Sequence, residues 1–320
     1  MKRLLSIPII VLLLYTQSCK DDKKEELKQD EVSNEMKDQP FFKLSLAQWS
    51  LNKNIRFHGM DPFDFAKISD SLGFNGLEYV SQLYKPFYDE HGIDALVVKL
   101  AEESKKYNQK NILIMVDNEG DLADPDEAKR DEAVELHKKW VDVAATLGCH
   151  SIRVNTFGTN DPEIWHDAVV DGLKKLSVYA ATKNVNVLCE NHGWLSSDAD
   201  KLVAALKAVD MDNCGTLPDF GNWCIKRKDG EKWGECEEEY ADKYKGMELL
   251  MPMAKAVSAK SYAFDEDGNE TTLDYPRILQ IVKDAGYTGY IGVEFEGGLP
   301  EEDGILATKD LLVSASKTLN

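Results

Sequence analysis

Along residues 42–317 the apolar positions switch repeatedly between two periods. Short alternating or continuous apolar runs predict strands at 42–50, 76–80, 111–117, 150–155, 185–190, 214–219, 255–264 and 290–295. Between them lie longer stretches with apolar residues three and four apart. These predict helices at 61–72, 91–107, 126–147, 161–182, 197–209, 239–254, 273–285 and 304–317. Asp61–Pro62 and Asp161–Pro162 each join an N-cap to a proline at the first helical position, and Ser197 is expected to cap the fifth helix. Gly73 and Gly286 close two others. Residues 222–238 read as a long polar loop, and 265–269 as a turn. Eight strand–helix pairs with no internal Pro/Gly/Ser-rich linker predict one α/β domain over residues 41–320, a TIM (β/α)8 barrel. A doubly wound open sheet would need a glycine-rich phosphate turn after the first strand. The chain offers QWSLNKN (48–54) there.

Three predicted strands stop at carboxylates. VNVLCENHGW (185–194) ends its apolar run at Glu190, Asn191 and His192; TLPDFGNW (216–223) carries Asp219; YIGVEFEGG (290–298) carries Glu294 and Glu296. The C-terminal strand ends of a barrel face one centre, so these acids predict a shared site. Glu190 and Glu294 are the expected acid–base pair, one removing a proton from a substrate carbon and the other returning it to the opposite face. Glu296 shares the face of Glu294 and is either a direct participant or a support for Arg153. Asp219 follows Pro218 and is a ligand or a cap for backbone amides. His192 is read as a donor to sugar hydroxyls or a metal ligand. Lys260 lies inside the seventh strand on the face of Ser258 and Tyr262. A lysine there is expected to serve as a fixed cation or a base, or to pair with Asp265. Arg153 and Asn155 top the fourth strand and suit sugar hydroxyls or a carboxylate, although an Arg153–Glu78 ion pair is an equal alternative. Trp49, Trp194 and Trp223 follow strand ends and offer flat faces to a pyranose ring.

The first forty residues have a different character. Lys2 and Arg3 precede a short apolar run, Leu4 to Tyr15, which is too short to span a bilayer. Residues 1–18 therefore read as a lipoprotein signal peptide, with Cys19 as the lipid-bearing residue. Residues 19–40 are almost wholly polar and read as a flexible tether. The expectation is an exported lipoprotein of the outer membrane, on its periplasmic face or at the cell surface, held to the membrane only through Cys19. The chain carries 57 acidic and 38 basic side chains, net charge −19. That surface repels phosphates, and no basic patch with interleaved aromatics is present, so no nucleic-acid partner is expected. No G-x-x-x-x-G-K-[ST] loop occurs, which disfavours phosphorylated substrates. Cys224 and Cys236 flank the polar loop and are a candidate disulfide; Cys149, Cys189 and Cys214 sit near strands and read as buried thiols.

The segments GFNGLEYV, CENHG, LPDFGNW, AVSAKSY and DAGYTGYIGVEFEG resemble the xylose-isomerase-like TIM barrel family of sugar isomerases and epimerases, in particular the sugar phosphate isomerase/epimerase-like proteins of the Bacteroidetes type. The resemblance covers roughly residues 43–317. It implies a divalent metal ion (Mn, Mg or Zn) held by Glu190, Asp219 and Glu294. The family's further ligand, a histidine on the seventh strand, has no counterpart at Ser258 to Lys260.

These observations predict a sugar isomerase or epimerase that moves a proton beside a sugar carbonyl with the help of a metal. An exported protein meets non-phosphorylated sugars and glycosides, so its partner is expected to be one of these small molecules. The same acid–base pair would also serve a lyase or hydratase acting on a 3-keto-glycoside. A glycan-binding lipoprotein without catalysis is the third reading.

Overall fold

The structure, a computed structural model, describes residues 39–319. The expected signal peptide, Cys19 and nearly all of the tether lie outside the described residues.

Eight parallel strands follow the predicted order: β1 Lys43–Ala47, β2 Gly76–Val80, β3 Lys110–Met115, β4 Ser151–Val154, β5 Asn186–Glu190, β6 Cys214–Leu217, β9 Val257–Ser261 and β10 Tyr290–Phe295. They hydrogen-bond in the order β6-β5-β4-β3-β2-β1-β10-β9. Parallel bridges Thr216↔Ala254 and Asp219↔Ser258 join the two outer strands and close the barrel. This is the TIM barrel that the periodicity predicts. Asp126 and Asp161 cap the helices Glu127–Leu147 and Pro162–Ala181 through their side chains.

Alternation sorts the strand residues into two shells. Leu46, Leu77, Ile114, Ile152, Val187, Cys189, Val257, Ala259, Ile291 and Val293 point outward into the main core beneath the helices. Ala47, Leu113, Met115, Leu188, Leu217 and Ala256 form a small inner cluster. The intervening inward positions are polar: Ser45, Glu78, Ser151, Arg153, Glu190, Ser258, Lys260 and Glu294 are all buried. A barrel interior is normally filled with branched aliphatics. Here apolar packing occupies only part of the lumen, and charged groups occupy the rest.

Several boundaries differ from expectation. The helix predicted at 91–107 runs Ile93–Lys106, and a separate, unforeseen helix, Lys85–His91, precedes it across Gly92 at φ 87°. A short helix, Asn52–Phe57, was not foreseen, because its single-turn length carries no periodic signal. Asp198, not Ser197, caps the helix Ala199–Val209 by accepting from Lys201 N; the Ser197 hydroxyl donates to the Asn222 carbonyl instead. The polar loop 222–238 contains an antiparallel hairpin, β7 Cys224–Arg227 and β8 Cys236–Glu239, tied by a Cys224–Cys236 disulfide. The helix expected from Glu239 begins later, at Lys243, and ends at Leu250. Cys149, Cys189 and Cys214 are buried thiols, as their strand positions suggested.

Candidate active site

β5 ends at Glu190, and β10 carries Glu294 beside Lys260 of β9 in register. Asp219 sits where the barrel closes. Ser258 N donates to Pro218 O at 2.9 Å and Phe220 N donates to Ser258 O at 3.0 Å, so the closing contacts bracket the aspartate. Carboxylate oxygens of Glu190, Asp219 and Glu294 all lie within 4.8 Å of one another, and all three residues are buried. The strand-end acids therefore converge as the sequence predicted.

Each acid has a distinct set of partners. Asp219 Oδ1 accepts from the amides of Gly221 and Asn222, both at 2.8 Å, and Oδ2 accepts from Ser258 Oγ at 2.6 Å. Asp219 is thus an amide cap as well as a member of the cluster. Burial, with the Glu294 charge adding to it, raises its carboxyl to about 7 despite Lys260. Glu190 Oε1 accepts from Asn222 Nδ2 at 2.9 Å. Its Oε2 lies 2.9 Å from Arg153 Nε without hydrogen-bond alignment, and has no hydrogen-bond partner. Burial raises the Glu190 pKa well above the ordinary carboxylate value. Glu294 accepts from Lys260 Nζ at 2.6 Å, and its other oxygen lies 3.3 Å from Ser258 Oγ, whose one proton serves the shorter bond to Asp219.

Lys260 is 1% exposed. It donates to Glu294 and, at 2.8 Å, to Glu296; it does not pair with Asp265. Burial opposes its charge, but Glu294, Glu296 and Asp219 together raise its pKa well above the usual lysine value. The ammonium form of Lys260 is the one that these acids favour in this arrangement. Glu296 supports Lys260 and accepts from Trp49 Nε1, and it makes no contact with Arg153. Against its burial, Lys260 and Trp49 hold Glu296 down at about 2.

Arg153 pairs with Asp117 at 3.0 Å and approaches Glu190; the alternative pairing with Glu78 does not form. Glu78 instead accepts from Ser45 Oγ at 2.6 Å, and burial raises its carboxyl to about 8. Room for it exists because position 292 is glycine: a Cβ there would stand 2.4 Å from Glu78 Oε2.

A relay fixes the tautomer of His192. Arg153 holds Asp117 below the usual carboxylate range against burial, so Asp117 is an acceptor only. Asn155 therefore directs its NH2 at Asp117 Oδ1, 2.7 Å away, and its Oδ1 faces His192 Nδ1, also 2.7 Å away. Nδ1 must then donate, and Nε2 is left unprotonated. Burial, helped by Arg153 and Lys260, lowers the imidazole to about 3, so the ring is neutral.

Above this floor opens a cavity of about 640 Å³, lined by Trp49, Asp117, Arg153, Asn155, His192, Glu294 and Glu296 among others. Two predicted aromatics do not reach it. Trp223 is buried, donates to Phe220 O, and packs against Gly246, where a Cβ would come within 2.3 Å of its ring. Trp194 donates to Glu231 O and meets the edge of Phe157 behind the lining. In their place stand Phe157 and Trp233. The sequence carried little signal for either, since both sit in loops whose path depends on the barrel. Asn191, Asn222, Ser258 and Asp117 were also missed as site residues. Asn191 accepts from Asp219 N at 2.7 Å and so places that aspartate.

The cluster fits a divalent cation. Glu190, Asp219 and Glu294 are buried together near the cations Arg153 and Lys260, and Glu190 Oε2 is a buried oxygen without a hydrogen-bond partner. Three close carboxylates in low dielectric repel unless protons or a cation intervene.

The chain matches the xylose isomerase-like TIM barrel family model over residues 65–314 and belongs to that family. It is 46% identical over 48 residues to the C-glycoside deglycosidase alpha subunit of Arthrobacter globiformis, which is 15% of this chain and 14% of that one. The chain thus matches only a short part of that relative's length. Among solved structures, the IOLI protein with a bound zinc atom superposes with TM-score 0.65 at 16% identity, covering 87% of this chain and 99% of that one. The 3-keto-D-glucoside 4-epimerase from E. coli superposes with TM-score 0.63 at 16% identity, covering 86% and 98%. At such identity these two likenesses establish the shared barrel.

Proposed function

We propose that this protein is a sugar epimerase or isomerase that moves a proton on the carbon beside a carbonyl, in a non-phosphorylated sugar or a glycoside. The observation that carries the reading is the buried convergence of Glu190, Asp219 and Glu294 beneath the cavity. Glu190, Asp219 and Glu294 would hold a divalent ion, Mn, Mg or Zn. When bound, it would polarise the substrate carbonyl and stabilise the enediolate.

The chain's own groups divide the remaining work. Glu190 and Glu294, on β5 and β10, are the two carboxylates available to take a proton from the substrate carbon and to return one. Electrons from the broken C–H bond pass to the carbonyl oxygen, and return of the proton to the opposite face inverts the carbon. Lys260 holds Glu294 and Glu296 in place and keeps positive charge next to the oxyanion. Arg153 orients Glu190. His192, neutral with Nε2 free, accepts a hydrogen bond from a substrate hydroxyl, and Asn155 and Asp117 keep its ring in that tautomer.

A second reading is elimination of an aglycone from an oxidised glycoside by the same acid–base pair. The 48-residue match to a C-glycoside deglycosidase subunit favours it.

The test is Glu190→Gln and Glu294→Gln, assayed with saturating Mn on native and 3-keto sugars. Each is expected to keep the fold and most sugar affinity while losing roughly 10²- to 10⁴-fold in turnover. Parent-like turnover in both variants would remove the paired-carboxylate mechanism. Solvent deuterium in a recovered epimer supports proton transfer, release of the aglycone selects the lyase, and affinity without any turnover selects the glycan-binding role.

A further inference from the structure

The hairpin between β6 and β9 has no part in closing the barrel, yet it reaches the cavity. Its disulfide joins the two strands, and the intervening turn carries Lys232 and Trp233. Lys232 Nζ sits 2.8 Å from each oxygen of Asp121, a residue of the loop after β3, so the hairpin is latched across the mouth. The Trp233 ring lies 5.0 Å from the His192 ring and 5.2 Å from Phe157, centre to centre. Trp233 is nevertheless 53% exposed. Trp233 lines the cavity, so its half-exposed ring offers a flat face with a polar edge to a ligand there. Arg227 of β7 lines the same cavity, and its Nε is buried without a hydrogen-bond partner.

Two regions of the cavity therefore differ in chemistry. The floor is carboxylates, Arg153 and Lys260. The mouth pairs one exposed flat face, Trp233, backed by the buried Phe157 ring, with the charged groups Asp121, Lys232 and Arg227. A pyranose matches that mixture, with a C–H face for the ring and a rim of hydroxyls for the charged groups. A flat aromatic aglycone would offer no hydrogen bond to the buried Arg227 Nε. A phosphate would meet Asp121.

Resting on the sugar reading above, we propose that the disulfide-tied hairpin builds a second sugar subsite. The substrate is then a glycoside of at least two rings, with the reacting ring on the carboxylate floor and the next ring against Trp233.

Calorimetric titration of the full-length protein with glucose, galactose, cellobiose, lactose and maltose tests this. At least one disaccharide is expected to bind about tenfold more tightly than its monosaccharides. Trp233→Ala, an exposed substitution that leaves the barrel intact, should abolish that margin. Lys232→Met should reduce the margin in the same direction. Monosaccharide binding with no disaccharide advantage, or an advantage that survives Trp233→Ala, overturns the subsite while the sugar reading stands. No binding of any of the five overturns both.

Discussion

Lys260→Met is the sharpest probe of how this site balances its charge. The substitution keeps a long apolar stem and removes the ammonium that lies 2.6 Å from Glu294 and 2.8 Å from Glu296. Glu294 is 5% exposed on its side chain and Glu296 is 32% exposed, so water can compensate the second but hardly the first. Removing one partner of a buried ion pair typically costs about 3–5 kcal/mol. For a domain of this size that corresponds to a melting temperature lower by roughly 6–15 °C. The lysine pKa is raised in the fold, so its contribution is fully present below the unfolded lysine value and fails only at strongly alkaline pH. Between pH 4 and 8, the pH dependence of the variant must therefore come from the carboxylates. Glu190 and Asp219, whose carboxyls burial already raises, lose the opposing charge of Lys260, so they bind protons more readily folded than unfolded and make the variant less stable as pH rises. The assay is scanning calorimetry in chelator at pH 7 and pH 4.5, repeated with excess Mn. The penalty should be large at pH 7, shrink at pH 4.5, and shrink on adding Mn. A variant that melts within about 2 °C of the parent at pH 7 in chelator would refute the argument that a buried charge needs this partner.

Glu78→Gln tests the other buried carboxyl. Its folded pKa of about 8 exceeds the ordinary 4.5, so the parent loses stability as pH rises between these values, by at most roughly 5 kcal/mol. Urea unfolding should show the variant gaining on the parent from pH 5 to 9; a constant difference would mean that Glu78 does not titrate there. Adding Mn, Mg or Zn to chelator-treated protein should raise the melting temperature, by the equivalent of about 2.7 kcal/mol at a hundred times the dissociation constant. Glu190→Gln should blunt that gain, and an unchanged melt with all three ions would leave Lys260 as the cluster's compensating cation. Cys19→Ser should abolish fatty-acid labelling and membrane retention, and unchanged labelling would end the proposal of a lipid anchor there.

The sequence by itself determined the barrel, because eight alternations of period two and period 3.6 admit few other closed arrangements. It also determined the acids: Glu190, Asp219 and Glu294 each end or follow a strand, and strand ends of a parallel barrel meet at one rim whatever the loops do. Lys260 was visible as an anomaly, a charge inside an apolar strand. What it binds was not visible, since Glu294 is 34 residues away and becomes a neighbour only through the β9–β10 register. The same holds for Arg153, whose choice of Asp117 and Glu190 over Glu78 depends on side-chain reach within the lumen. Trp194 and Trp223 satisfied the local rule for strand-end aromatics, yet packing turned them away and brought Trp233 to the cavity. Local pattern fixes which face of a strand a residue occupies. The course of a long loop is decided by contacts made across the closed barrel, here a disulfide and the Lys232–Asp121 latch, and those exist only once the strands have assembled.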